Sequence, residues 1–375
     1  MFFFSFHSYI FLYVQSSFIN NFIPESALSL VYGIGAIISL ITLFAVPKIF
    51  GHISDRKFTL WLIGIEALLC FVLALSNFAP FVITAFILQQ ALLPILAFGL
   101  DVLIEDSSKH RNTGLIRGLA FTAANITLVA SPLIAGYIGS RFGFGPIFYL
   151  SNIFLIPFFI AVLSLRRKMH EPTYHTESII ETIKKLLTNT NVRHRDIRLV
   201  FMINFLLQIF YTWMVIYSPL YLLHQGFNWD QIGVIFSIML LPFLFFELPL
   251  GALADKYFGE KEFMVVGFIV LGVSTISLSF IHSPSVAIWA FALFATRIGA
   301  SFIEIMSETY FFKQIRHVDA PVISLFRFTR PLSLLIAPLL AAVTISLTGE
   351  TSAFIVLGIL MFFGLRFVYP LVDTL

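Results

Sequence analysis

The sequence predicts an all-α polytopic membrane protein, with twelve transmembrane helices in two pseudo-symmetric six-helix bundles. Three observations predict it. Hydrophobic residues make up 59% of the 375-residue chain and charged ones only 11%, at a mean hydropathy of +0.94. A soluble domain carries about 25% charged residues, and 23 basic plus 20 acidic side chains cannot cover a water-facing surface for a chain this long. The charges are also clustered, leaving long uncharged runs. Finally, the punctuation of the first half returns in the second. Closed β-barrels are the other spanning solution, but their alternating ten-residue signal is absent.

Each element follows from where charge is missing. A bilayer core about 30 Å thick needs about 20 mostly apolar residues per helix. Asp, Glu, Lys and Arg are absent from 1–24, 26–47, 67–100, 118–140, 142–165, 199–229, 263–296 and 331–349. The runs 67–100 and 263–296 are too long for one span, and each breaks near a proline, at Ser76-Asn77-Phe78-Ala79-Pro80 and at His282-Ser283-Pro284. The expected spans are 3–22, 28–50, 58–76, 81–105, 113–138, 145–165, 198–223, 230–250, 262–281, 285–311, 321–347 and 351–371. The first has no basic residue ahead of it and no small-residue cleavage site after it, so it reads as a retained helix and not a signal peptide.

The domain plan is then an amino-terminal bundle over 1–165, a cytoplasmic linker over 166–197 and a carboxy-terminal bundle over 198–375. The linker holds an amphipathic helix: Ser178 and Glu181 have capping-box spacing, and Ile179, Ile180, Ile183, Leu186 and Leu187 share a face opposite Lys184 and Lys185. About 30 residues cannot bury a core, so the helix is expected to lie on the anionic inner leaflet. With both termini cytoplasmic, the basic residues crowd the inside loops. Arg141 alone falls outside, while Arg297, Arg327 and Arg330 lie within spans. That asymmetry sets the orientation and places the chain in the cell membrane. A net charge of +3 gives no reason to expect nucleic acid. The single cysteine, Cys70, leads us to expect neither a disulfide framework nor a thiolate metal site.

The internal repeat is the most informative feature. Gly33, Gly51 and Asp55 recur as Gly233, Gly251 and Asp255; further on, Asp101 and Glu105 recur as Glu304 and Glu308, and Ser131-Pro132 as Ala337-Pro338. The loops Gly51-His52-Ile53-Ser54-Asp55-Arg56-Lys57 and Gly251-Ala252-Leu253-Ala254-Asp255-Lys256-Tyr257-Phe258-Gly259 resemble the G-x-L-A-D-[RK]-x-G-[RK]-[RK] signature of the major facilitator superfamily. The second copy fits well, whereas the first departs at Ile53, Ser54 and the missing glycine after Lys57. The resemblance covers the whole chain. It implies two bundles around a central cavity with alternating access, and gating latches at Gly51, Asp55, Arg56, Gly251, Asp255 and Lys256, with Asp55 holding the eleventh helix and Asp255 the fifth. The pattern Gly118, Thr127, Ser131, Pro132, Ala135, Gly136 resembles a degraded antiporter motif of that family, which leans toward export over import.

Polar residues inside spans need a partner or a cavity, because a charge at the bilayer centre costs on the order of 2.5–3.5 kcal/mol. Arg297, Ser301, Glu304 and Glu308 share one face of the tenth span, and Gln90, Asp101 and Glu105 one face of the fourth. Asn204, Gln208, Tyr211 and Ser218 stripe the seventh, and Tyr9, Tyr13, Ser16 and Asn20 the first. The family resemblance makes these four helices the cavity-lining set. Candidate substrate contacts are Tyr13, Gln90, Asn204, Gln208, Tyr211, Arg297 and Ser301. Arg297 leads them, having no acid at its depth except Glu66. Glu66, Asp101 and Glu304 are the proton-coupling candidates. Glu105, Arg117, Glu308, Arg327 and Arg330 read as inner-rim ion pairs, and His7 as a satisfied interhelical donor. Catalytic, nucleotide and cofactor motifs are missing. The expected function is secondary transport of a small solute by a monomer, with protons available for coupling; a non-transporting sensor of the same fold is the alternative.

Overall fold

The structure, a computed structural model, describes residues 1–50, 55–107, 113–165, 179–188, 191–246, 259–315 and 320–372. Its described elements are helical. The first half contains α1 (Phe2–Ile10), α2 (Gln15–Asn20), α3 (Leu28–Phe50), α4 (Asp55–Leu75), α5 (Ala79–Ser107), α6 (Thr113–Phe142) and α7 (Gly145–Ser164). The linker helix α8 (Ile179–Thr188) follows. The second half contains α9 (Val192–His224), α10 (Trp229–Phe245), α11 (Gly259–Leu278), α12 (Val286–Gln314), α13 (Ala320–Arg327), α14 (Thr329–Thr348), α15 (Glu350–Phe363) and α16 (Leu365–Val368). Ten stretches are long and apolar enough to cross a membrane, and α10 is a shorter apolar helix. Together with the broken first span they account for twelve crossings.

Three expected spans are interrupted. The first is two helices, because residues 11–14 form a turn in which Leu12 N–H bonds the Tyr9 carbonyl and Val14 N–H the Phe11 carbonyl. Such i→i−3 bonds tighten the chain and end the α-helical ladder. The eleventh breaks at Phe328 into α13 and α14, and the twelfth at Gly364 into α15 and α16. Both proline-marked turns, after α4 and before α12, occur where the sequence places them. The prolines inside helices, including Pro94, Pro132 and Pro338, are tolerated as they commonly are in membrane helices.

The chain divides into two compact units, one of Met1–Thr173 with Val215–Ser237, the other of Tyr174–Met214 with Ile238–Leu375. In the first unit α4 packs on α5 and α7, and in the second α11 packs on α12 and α15. These are the third, fourth and sixth spans of each half, so the duplication seen in the sequence extends to the packing. The core of the first unit includes Leu62, Ile63, Leu96, Leu155 and Phe158. Its outside carries large apolar side chains, among them Trp61 at 72% and Leu30 at 63% exposure. Polar residues such as Glu66, Gln89 and Ser151 lie inside at 0%. That distribution inverts a soluble protein and suits hydrocarbon contact.

Also within the first unit, α6 crosses the start of α10 backbone against backbone. A Cβ added at Gly136 would lie 2.4 Å from the Trp229 carbonyl oxygen, and one at Gly233 would lie 2.7 Å from the Pro132 carbonyl oxygen. Only hydrogen at both positions permits that approach. Arg141 and Asp230 close the same crossing with an ion pair at 2.9 Å.

Candidate functional site

The part of the 33-residue α9 that belongs to the second unit, up to Met214, carries its polar stripe toward α12 and α14. Asn204 donates to Thr329 Oγ1 at 2.8 Å, and the Thr212 and Ser333 hydroxyls pair at 2.9 Å. Tyr211 donates to Glu304 Oε2 at 2.7 Å. About two turns from Glu304 along α12, Arg297 is 1% exposed. Its guanidinium carbon lies 4.9 Å from the Phe210 ring centre and 5.9 Å from that of Tyr211. Its hydrogen bond is a long one, from Nη1 to the neighbouring Thr296 Oγ1 at 3.4 Å, while Nε and Nη2 have no acceptor among the described residues.

Energetics single out this arginine. A cation–π contact contributes about 0.5–2 kcal/mol, whereas an ion out of water carries a penalty of several kcal/mol that needs good partners to offset it. Two buried N–H-bearing nitrogens with no acceptor among the described residues leave that penalty standing. Ser301, one turn from Arg297 on the same face, donates to the Ile298 carbonyl and is buried. Gln208 is half-buried on α9.

The first unit uses its polar residues differently. Gln90 donates to Gln15 Oε1 at 2.8 Å, tying α5 to α2. Tyr13 is 6% exposed, with its ring 4.8 Å from that of Phe236. Glu66 receives His7 Nε2 at 3.2 Å, Gln89 Nε2 at 2.9 Å and the Cys70 thiol at 3.4 Å on one oxygen, Oε1. Ser151 Oγ stands 2.6 Å from His7 Nδ1. Glu66 is thus joined to a network linking α1, α4, α5 and α7, which supplies the acid expected opposite Arg297 with partners of its own. His7 is the satisfied interhelical group its position suggested.

Much of the expected latch lies outside the described residues, namely Gly51, Gly251, Asp255, Lys256 and the side chain of Asp55, as do the side chains of the proton-coupling candidate Asp101 and of the rim residues Glu105 and Arg117. Arg56 is described, and its guanidinium donates to the Leu163 carbonyl at the end of α7, a favourable place for a cation. At the rim, Arg327 Nη1 and Glu308 Oε1 are 3.5 Å apart, and Arg330 is exposed. The second signature copy leaves a visible mark at Gly259, whose φ of +71° opens α11 in the left-handed region that glycine tolerates.

Sequence reasoning missed three features. Thr212, Thr329 and Ser333 take part in the α9–α14 bonds, although single hydroxyls in apolar runs carry no periodic signal. Asp196 is 1% exposed and meets both Arg195, at 3.0 Å, and the Tyr310 hydroxyl, at 2.9 Å. Gln89 and Ser151 complete the Glu66 network from helices remote in sequence.

An apolar exterior and uncharged spans define a multi-pass helical membrane protein. The Major Facilitator Superfamily pattern matches residues 1–239 and 226–374. The chain belongs to that family. It is 23% identical over 276 residues to the multidrug resistance protein MdtG of Dickeya zeae (strain Ech586), a match covering 71% of this chain and 66% of that protein, just under two thirds of its length. Among solved structures, a mutant of the nucleoside transporter NupG superposes with a TM-score of 0.76 at 12% identity over 98% of each chain. A POT family transporter in complex with a thioalcohol-conjugated peptide gives 0.74 at 15% identity, over 98% of this chain and 93% of that one. Those identities speak for the fold alone.

Proposed function

We propose that the protein is a secondary active transporter working by alternating access on a small organic solute that bears an anionic group, with Arg297 as the group that binds it. The observation that carries this reading is the buried guanidinium whose Nε and Nη2 have no acceptor among the described residues. A carboxylate or phosphate oxygen pair would accept from Nε and Nη2 together, in the two-pronged geometry suited to arginine. Phe210 and Tyr211 offer flat apolar surface to the rest of the solute. Asn204 and Gln208 on α9 and Ser301 on α12 complete the proposed contacts in the second unit, and Tyr13 and Gln90 are those proposed for the first. Glu304, two turns from Arg297 on the α12 stripe and bonded to Tyr211, is the acid best placed to carry a coupling proton.

Export is the direction we favour, because the small residues and proline of α6 follow an antiporter-like pattern and a relative is named for multidrug resistance. The positive-inside distribution supports both termini lying in the cytoplasm of a cell-membrane protein, with Arg141 and Asp230 on its outer side. The test is a thermal-shift screen of purified protein against organic anions, cations and neutral amphiphiles, followed by uptake and efflux in proteoliposomes. A hit among anions whose affinity falls about 10–150-fold in Arg297→Lys, the equivalent of about 1.5–3 kcal/mol for a charge-assisted hydrogen bond, supports the reading. Stabilisation by cations alone, or anion binding unchanged in Arg297→Lys, refutes it.

A further inference from the structure

The His7, Glu66 and Cys70 side chains meet in the buried interior of the first unit, and we propose that they form a binding site for one borderline-soft divalent cation of the zinc class. Their ligand atoms lie within 4.8 Å of one another, and all three residues are 0% exposed. Glu66 and Cys70 are four apart on α4 and so share a face, while His7 arrives from α1. Zinc bonds of about 2.0–2.1 Å to nitrogen or oxygen and about 2.3 Å to sulfur put tetrahedral ligands about 3.3–3.5 Å apart. The separations here are 3.2 Å from His7 Nε2 to Glu66 Oε1 and 3.4 Å from that oxygen to Cys70 Sγ.

Two further observations point to a cation. Gln89 Nε2 lies 2.9 Å from both Glu66 Oε1 and Cys70 Sγ, so a partly positive amide group bridges the carboxylate and the sulfur. It stands where a metal ion would. Moreover, Glu66 Oε2 and Gln89 Oε1 are buried without a partner among the described residues. Both orphans are acceptors, which a cation can satisfy. The histidine is also oriented as a ligand. Ser151 Oγ lies 3.1 Å from the His7 carbonyl and 2.6 Å from Nδ1. On metal binding the ring proton moves from Nε2 to Nδ1, which then donates to Ser151 Oγ while that hydroxyl donates to the His7 carbonyl; such outer contacts commonly fix a metal-binding imidazole.

Binding balances in charge. The ion displaces the Cys70 proton to solvent, and M²⁺, thiolate and carboxylate then sum to zero inside an apolar bundle. The ion takes the place of Gln89 Nε2, and the displaced amide turns to present Oε1 as a fourth ligand, which removes its orphan. No metal site is expected from the sequence, because one cysteine, one histidine 59 positions from the glutamate, and a glutamine on a third helix share no motif.

The test uses the full chain, purified, treated with chelator, and reloaded with zinc or cobalt chloride. The expected result is one metal per chain after gel filtration, a melting temperature raised by zinc, and a cobalt spectrum with a thiolate charge-transfer band and tetrahedral d–d bands. Cys70→Ser should lose that band and bind at least about 10-fold more weakly, and Ser151→Ala should bind about 10–100-fold more weakly. The cobalt spectrum of the unaltered protein needs no variant to fold. Cobalt bound without a thiolate band, equal metal retention in Cys70→Ser and Glu66→Gln, or no retained metal at all each overturns the proposal and leaves the cluster a hydrogen-bonded strut.

Discussion

Replacing Gly136 by alanine tests the α6–α10 crossing directly. The added Cβ would meet the Trp229 carbonyl oxygen at 2.4 Å, the Gly233 Cα at 2.9 Å and the Gly233 nitrogen at 3.2 Å. All three are backbone atoms, so no side-chain rotation relieves the clash. Ordinary contact begins at 3.4 Å, so the helices must separate by about 1 Å at this point. Overpacking of this kind typically costs about 1–3 kcal/mol, which reduces the closely crossed arrangement about 5- to 150-fold relative to any alternative in which α6 and α10 part. Gly139 supplies the control on the same helix. Its Cβ would lie 3.7 Å from Ile147 Cδ1 and Trp229 Cγ, in ordinary contact, so Gly139→Ala should stay within about 0.5 kcal/mol of the parent. Spin labels at the exposed Ser140 and Asn228, in a Cys70→Ser background, would report the separation by pulsed dipolar spectroscopy. Gly136→Ala should add or enlarge a long-distance population, and Gly139→Ala should not. Identical distance distributions and melting temperatures for the two variants would refute the close crossing.

The remaining expectations concern the polar residues. Arg297→Met removes a buried charge whose Nε and Nη2 have no acceptor among the described residues, so the melting temperature should hold or rise while binding of an anionic solute is lost; a marked fall in stability would mean that the arginine is structural. Tyr211→Phe deletes the donor to Glu304 and should lower stability by about 1 kcal/mol, read by thermal unfolding, and change the pH dependence of transport if Glu304 carries the proton. For Thr212→Val and Ser333→Ala, a double-mutant cycle should return a coupling of about 0.5–1.5 kcal/mol, and strict additivity would deny the bond. Arg141→Gln breaks an ion pair that is 46% and 44% exposed, so its effect on stability should stay near about 0.2–1 kcal/mol and vanish in molar salt.

What the sequence by itself determined is what the solvent dictates. Hydrocarbon excludes charge residue by residue, so uncharged runs and the prolines that split them locate the crossings without knowledge of any contact. The duplication was equally legible, since Gly33 and Gly233 or Asp55 and Asp255 keep their order along the chain. The helical period placed Asn204 and Tyr211 on one stripe, and Arg297 and Glu304 on another. Which groups meet was decided by tertiary structure alone. Glu66 looked like the acid available to Arg297, yet it bonds His7, Gln89 and Cys70, and two of the arginine's nitrogens have no acceptor among the described residues. Gln90 lies on the stripe the period marks, but its bond to Gln15 is visible only in the tertiary structure. The turn inside the first span shows in no proline or glycine at residues 11–14. The physical reason is range: exclusion from lipid is a one-body property that each residue carries with it, whereas hydrogen bonds and close crossings are pair properties of about 3 Å reach, set by helices that lie far apart in the chain.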